Sequence, residues 1–383
     1  MALHFTTEEL AARRDKVCRD MGEAGLDALL LFRQESMYYL TGYDTFGYVY
    51  FQCLVLGADG RMTLLTRAPD LLQARLTSDI DDVRIWVDGP DARPAEALRA
   101  ILAERGLTGR RLGVEWEAYG LTARNGQRLS AALNGLCTLS DASELVSRRR
   151  MVKSPAELAF VREAAKLADD SLAAAVATAR PGAFEGDILA AMQAAVFRGG
   201  GDDPANETII GSGRDALLCR YFTGRRHLDP QDQLTLEFAG VYRHYHACLM
   251  RTICIGAPPA RQLAMYEAAR AALAACEAAM KPGAPMADVF DAHARVIDAH
   301  GMSEHRLNAC GYSLGTTFAP NWMDWPMFYA GNKAIMRPGM VFFLHMIIFD
   351  SEAGLAMTLG RTSLVTAAGA EPLSKAPLDL VVR

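Results

Sequence analysis

The stretch Arg149-Arg150-Met151-Val152-Lys153-Ser154-Pro155-Ala156-Glu157-Leu158 divides the chain and sets the reading of what lies on either side. Ser154 is a helix N-cap, Pro155 takes the first helical position where no amide hydrogen is needed, and Glu157 puts a carboxylate at the positive end of the helix dipole. The periodicity beyond predicts a long, alanine-rich amphipathic helix to about Ala179. Composition shifts near Ser147, so two domains are expected, 1–147 and 148–383. The basic run 148–150 then reads as a solvated junction rather than a phosphate-binding patch.

Upstream of the junction, helical and extended signals alternate. Thr6 and Glu9 give a capping pattern for a helix over 7–24. Leu26–Phe32, Tyr48–Leu56, Met62–Leu65 and Arg111–Val114 read as strands, and Pro94–Glu104 as a helix with proline in its first turn. The pattern is that of a small α/β domain. Downstream, Gly182 and the glycines 199–201 punctuate a second helix, and strand-like runs follow at Leu234–Phe238 and Leu249–Ile255. The order then repeats, with helices at Gln262–Met280 and Met286–His300 and strands at Cys310–Leu314, Val341–Phe349 and Thr362–Thr366. Two successive helix–helix–strand–strand blocks predict an α+β domain of duplicated halves about a pseudo-twofold.

Composition narrows the function. The 383 residues are 51% hydrophobic and 22% charged with a formal net charge of −5, which excludes a disordered chain. A pI near 5.9 without a dense Lys/Arg block argues against nucleic-acid or anionic-membrane partners. No apolar run reaches the roughly 18 residues of a membrane span, and the polar N-terminus lacks the apolar core of a signal peptide. The eight scattered cysteines contain no Cys-x-x-Cys pair, so reduced thiols in the cytoplasm are expected. A small-molecule substrate is the expected partner.

The junction stretch resembles the domain-junction motif of the creatinase, aminopeptidase P and methionine aminopeptidase superfamily. Tyr38-Tyr39-Leu40-Thr41-Gly42-Tyr43 agrees with it, as do Tyr242 and Tyr245 followed by Arg251-Thr252. So do Arg337-Pro338-Gly339-Met340-Val341-Phe342 and Leu364-Val365-Thr366 with its following glycine turn. The resemblance spans nearly the whole chain. It implies an α/β N-terminal domain plus an α+β "pita-bread" C-terminal domain, usually in a homodimer.

Most members of that superfamily hold two divalent metals through Asp, Asp, His, Glu and Glu. Matched residue by residue, these positions fall on Glu237, Cys248, Tyr312, His345 and Gly360. Three ligands are altered and one is missing, so no metal and no other cofactor is expected. A mononuclear site on Glu237, Cys248 and His345 is the alternative within this set. The chain is thus more similar to the metal-independent members, creatinase and ectoine hydrolase, and Leu236-Glu237-Phe238-Ala239-Gly240, Gly311-Tyr312-Ser313-Leu314-Gly315 and Leu40-Thr41-Gly42-Tyr43-Asp44 are nearer ectoine hydrolase. The substrate-loop histidine of the superfamily falls near Arg220, with His227 the nearest histidine; this counts against creatine itself.

The resemblance implies hydrolysis of a C–N bond in a small zwitterionic amidine, guanidino or amide compound. Glu237, in an apolar strand, would attack the electrophilic carbon or activate water; its other reading is a structural partner for Arg251. His345 would protonate the leaving nitrogen, or is a satisfied core histidine. Tyr312 would stabilise developing charge. Arg220 would clamp a substrate carboxylate with a two-pronged hydrogen bond, and Arg251 would brace Glu237. Trp322, with Trp325 and Phe328, would cage a cationic group, and Tyr43 and Asp44 would reach across a dimer into the partner's pocket. Two other functions stay open: a metal-dependent Xaa-Pro peptidase and a non-catalytic binding protein.

Overall fold

The computed structural model describes residues 3–220 and 224–383. They form two compact units, Met1–Arg150 and Met151–Arg383. The division falls three residues beyond the one read from composition, because the basic run belongs to a helix of the first unit. Arg148 pairs with Glu144, Arg149 with Asp20, and Arg150 is buried, so this run is not a solvated junction.

The N-terminal unit is a six-stranded sheet flanked by helices. Its elements are α1 (Thr7–Glu23), β1 (Ala28–Leu31), α2 (Gln34–Thr41), β2 (Cys53–Gly57), β3 (Met62–Arg67), α3 (Leu71–Thr77), β4 (Val83–Trp86), α4 (Pro94–Glu104), β5 (Arg111–Val114), α5 (Ala123–Leu133), β6 (Thr138–Asp141) and α6 (Leu145–Arg150). The strand order is β4-β3-β2-β1-β5-β6. Thr6 caps α1 by accepting the Glu9 amide, as its spacing predicts. The strand expected from Tyr48 begins only at Cys53. Thr45 accepts the Gly47 amide and donates to Asp70, which holds Gly47–Val49 in a 3₁₀ turn.

The C-terminal unit opens with α7 (Pro155–Thr178), whose capping box is complete: Ser154 accepts the Glu157 amide while Glu157 accepts the Ser154 amide. The remaining carboxylate oxygen of Glu157 accepts the Tyr245 hydroxyl at 2.8 Å, which ties the helix start to the sheet. Then come α8 (Glu185–Arg198), β7 (Ile209–Ser212), β8 (Asp232–Tyr242), β9 (Tyr245–Ile255), α9 (Ala260–Ala279), α10 (Ala287–Ala299), β10 (Ala309–Ser313), β11 (Asp324–Tyr329), β12 (Val341–Asp350), β13 (Leu355–Thr366), β14 (Gly369–Pro372) and β15 (Val381–Val382).

The sheet runs β11-β10-β12-β13-β9-β8-β7, with β14 on β13 and β15 on β9. The antiparallel β9–β13 pair is the seam between two similar halves, so the duplication read from the element order is a pita-bread fold. In the first half, Ala168, Leu172 and Ala175 of α7 meet Leu234, Leu236 and Phe238 of β8. In the second, Ala269, Leu273 and Cys276 of α9 meet Phe342, Leu344, Met346 and Ile348 of β12. Each large apolar side chain buried this way contributes roughly 1.5–3 kcal/mol. Gly240 lets β8 lie directly on α7, because a Cβ there would sit 2.1 Å from the Ala164 carbonyl oxygen. Strand alternation then decides the other face: with even positions of β8 and β12 turned to the helices, Glu237, Phe343, His345 and Ile347 point away from them.

Candidate active site

That second face carries a cavity of about 350 Å³, lined by Glu237, Tyr312, His345, Arg220, Trp322 and Asn206 among others. Its apolar wall comes from Ile209, Leu307, Met323, Met327 and Ile347, and Asn308 and Asn321 add carboxamides. Cross-strand register aligns the floor. Glu237 pairs with Met250, Met250 with Gly360, and Gly360 with His345, so one row crosses β8, β9, β13 and β12. Glu237 and His345 stand at the ends of that row, one from each half.

Glu237 is held by a chain of donors. The Trp322 indole donates to the Tyr312 hydroxyl at 2.8 Å, and that hydroxyl donates to Glu237 Oε1 at 3.0 Å. Burial pushes the Glu237 carboxyl up to about 7, against the lowering effects of the Tyr312 hydrogen bond and the Arg220 charge. Burial pushes His345 the other way, to about 4, helped by the neighbouring His293. The Tyr312 phenol is raised well above its usual range by burial and by Glu237, so it remains a donor. His345 Nδ1 is buried and, among the described residues, has no hydrogen-bond partner. Its ring packs on Tyr312 and Phe343, with centroids 5.5 and 5.6 Å away.

These facts correct several expectations. Burial disfavours the imidazolium form of His345, which counts against its expected role as the acid toward a leaving nitrogen. The Tyr312 proton is engaged with Glu237 rather than aimed at a substrate. Arg251 does not brace Glu237: it pairs in register with Leu236 and therefore projects to the opposite face. There its guanidinium donates to the Met250 and Gly360 carbonyls at 2.9 and 2.7 Å. Tyr43 is fully buried in the N-terminal core, its hydroxyl 3.4 Å from both Gln52 Oε1 and Thr66 Oγ1, so it reaches no pocket. Asp44 is half-buried in the same unit, with its backbone held by Thr77 and Gln73. The aromatic cage does not form either, because Phe328 lies in the core against Phe342 while Trp325 faces solvent. Arg361 pairs with Glu277, and His227 lies against Phe184.

The donor set does not fit a two-metal centre. Gly360 offers no ligand, and the space a side chain there would need holds the Phe343 ring, 2.9 Å from an ideal Cβ. Cys248 is fully buried and does not line the cavity, and burial raises its thiol far above the usual range. Among the described residues, no three His, Cys, Asp or Glu side chains are grouped to hold a metal ion. Nor is any helix long and apolar enough to cross a membrane among the described residues.

Sequence reading missed Asn206, Asn308, Asn321 and the methionine wall, which lie on loops and short strands without a periodic signal. It also left His246 without a role.

A pita-bread cavity floored by a buried acid is the architecture of a hydrolase. The chain belongs to metallopeptidase family M24, which it matches over residues 159–367, and residues 13–152 match the creatinase/prolidase N-terminal domain. It is 30% identical to an uncharacterized hydrolase/peptidase of Sinorhizobium fredii, over all of this chain and 99% of that one. It is 28% identical to the ectoine hydrolase of Halomonas elongata, with the same coverage. Among solved structures, the dipeptidase PepE of Mycobacterium ulcerans superposes with a TM-score of 0.85 at 27% identity, covering 99% of each chain.

Proposed function

We propose that this chain hydrolyses a non-peptide C–N bond in a small zwitterionic amidine, guanidino or amide compound, without a metal ion. The observation that carries the reading is the Trp322–Tyr312–Glu237 chain on the cavity floor, in which Tyr312 and Glu237 stand at positions matched to the family's metal ligands. An ionised Glu237 takes a proton from water as that water adds to the electrophilic carbon. The same carboxyl then returns the proton to the leaving nitrogen as the C–N bond breaks. A group poised near 7 serves both halves at neutral pH. Arg220 on the cavity wall receives the substrate carboxylate. The neutral His345 ring, on the cavity lining, packs against the reacting group and orients it. Acceleration comes from positioning and preorganised dipoles.

A metal-dependent dipeptidase is the second reading, favoured by the family itself and by the fold shared with PepE. A homodimer is the assembly proposed for either reading; sedimentation velocity measures it.

One screen separates the two. Thermal shift and turnover are measured with ectoine, hydroxyectoine, creatine, guanidino acids and Xaa-Pro dipeptides, with and without EDTA. Turnover of a non-peptide that EDTA leaves unchanged is expected. Stoichiometric Mn, Co or Zn in the purified protein, with chelation abolishing dipeptide cleavage, would overturn the reading.

A further inference from the structure

We infer that His246 is a positioning residue, a neutral imidazole latch that fixes two cavity-lining loops against each other and thereby seats Trp322. His246 is the second residue of the buried strand β9 and is fully enclosed. Its Nε2 lies 3.0 Å from the Ala205 amide nitrogen. A backbone N–H can only donate, so Nε2 carries a lone pair and the ring proton sits on Nδ1. That Nδ1–H faces two acceptors, the His244 carbonyl at 2.9 Å and Thr317 Oγ1 at 3.1 Å.

Each end of the ring leads to the cavity. Ala205 precedes Asn206, whose side-chain oxygen accepts the Trp322 amide at 3.1 Å. Thr317, on the other side, reaches the Trp322 carbonyl at 3.5 Å. The Trp322 main chain is thus gripped at both its N–H and its C=O by groups that His246 holds in place. Its indole in turn donates to Tyr312, and Tyr312 donates to Glu237. His246 lines no part of the cavity and acts only through this chain. Buried networks of this kind fix geometry when every member is satisfied, and here each nitrogen of the ring has a partner.

The two nitrogens do separate jobs, so they can be removed separately. Hydrogen exchange read by mass spectrometry on the full chain needs no substrate. In H246F, which keeps a ring but no nitrogen, amides of 202–208 and 316–323 should exchange about tenfold faster or more, with β12 and β13 unchanged. H246N returns a donor near the Nδ1 position and should recover protection chiefly in 316–323. H246Q returns an acceptor near the Nε2 position and should recover it chiefly in 202–208. Parent-like protection of both loops in H246F overturns the latch. So does a loss spread evenly into β12 and β13, which would mark the ring as ordinary core.

The effect on turnover rests on the hydrolytic reading above: kcat should fall at least tenfold in H246F and be partly rescued in H246N. A chain that turns over nothing in the screen sinks that reading, while the exchange pattern still decides the latch.

Discussion

Glu237 and His345 occupy the two ends of one cross-strand row, and burial moves their proton affinities in opposite directions, to about 7 and about 4. The ordinary order of a carboxyl and an imidazole is inverted. At neutral pH the acid exchanges its proton with solvent, while the imidazole carries only the single ring proton of its neutral form. That inversion is what the proposed role of Glu237 as the proton carrier rests on.

Replacing that carboxyl tests the assignment directly. Glu237→Gln should lower kcat by roughly 10²-fold or more on any substrate found, as expected for loss of a general base. The same variant should be more stable than the parent at pH 8 but not at pH 4. A raised carboxyl pKa favours the folded state below about 4.5 and loses that contribution as pH rises through about 7. Melting temperatures of both proteins at the two pH values check this.

Tyr312→Phe should move the acid limb of the kcat/KM profile to higher pH. The phenol now donates to Glu237 and holds its carboxyl below where burial alone would place it. Without that donor more base is needed to ionise it. A profile unchanged within about 0.3 units would contradict the hydrogen bond's role.

Acid stability should track the buried imidazoles. His345 and His293 are each pushed to about 4 by burial, and His246 to about 3. A depressed histidine pKa contributes stability above about 6.5 that is lost as pH falls toward the folded value. The melting temperature should therefore drop between pH 7 and 4, and H345F should flatten that slope.

Gly360→Ala should destabilise by about 1–3 kcal/mol, the usual cost of overpacking a closed core. The new methyl would lie 2.7 Å from the Leu344 carbonyl oxygen and 2.9 Å from the Phe343 ring. Urea unfolding should give a lower midpoint with an unchanged slope.

Arg220→Ala should raise KM for a carboxylate-bearing substrate at least tenfold with a smaller change in kcat. Equal KM values for that substrate and its methyl ester in the parent would remove the proposed clamp.

Much of the fold was legible because its strands are buried on both faces and read as continuous apolar runs. Their lengths were not. β8 and β9 extend to a tight hairpin at Arg243-His244, whose φ values of 50° and 65° carry no Gly or Asn signal. The cavity's floor was legible only through motif positions, since Glu237, Tyr312 and His345 are 108 residues apart at the extremes and converge through sheet register (345 minus 237). Arg251 was misplaced because its face depends on pairing with Leu236, which no local pattern encodes. Asn206 and the methionines lie where side-chain identity alone carries no direction.

The guanidinium of Arg251 bridges the carbonyls of Met250 and Gly360, the two residues that separate Glu237 from His345 across the seam. It clips β9 to β13 from the helix-facing side of the sheet, directly behind the row that carries the acid and the imidazole. A side chain outside the cavity thus fastens the seam on which the cavity floor is built.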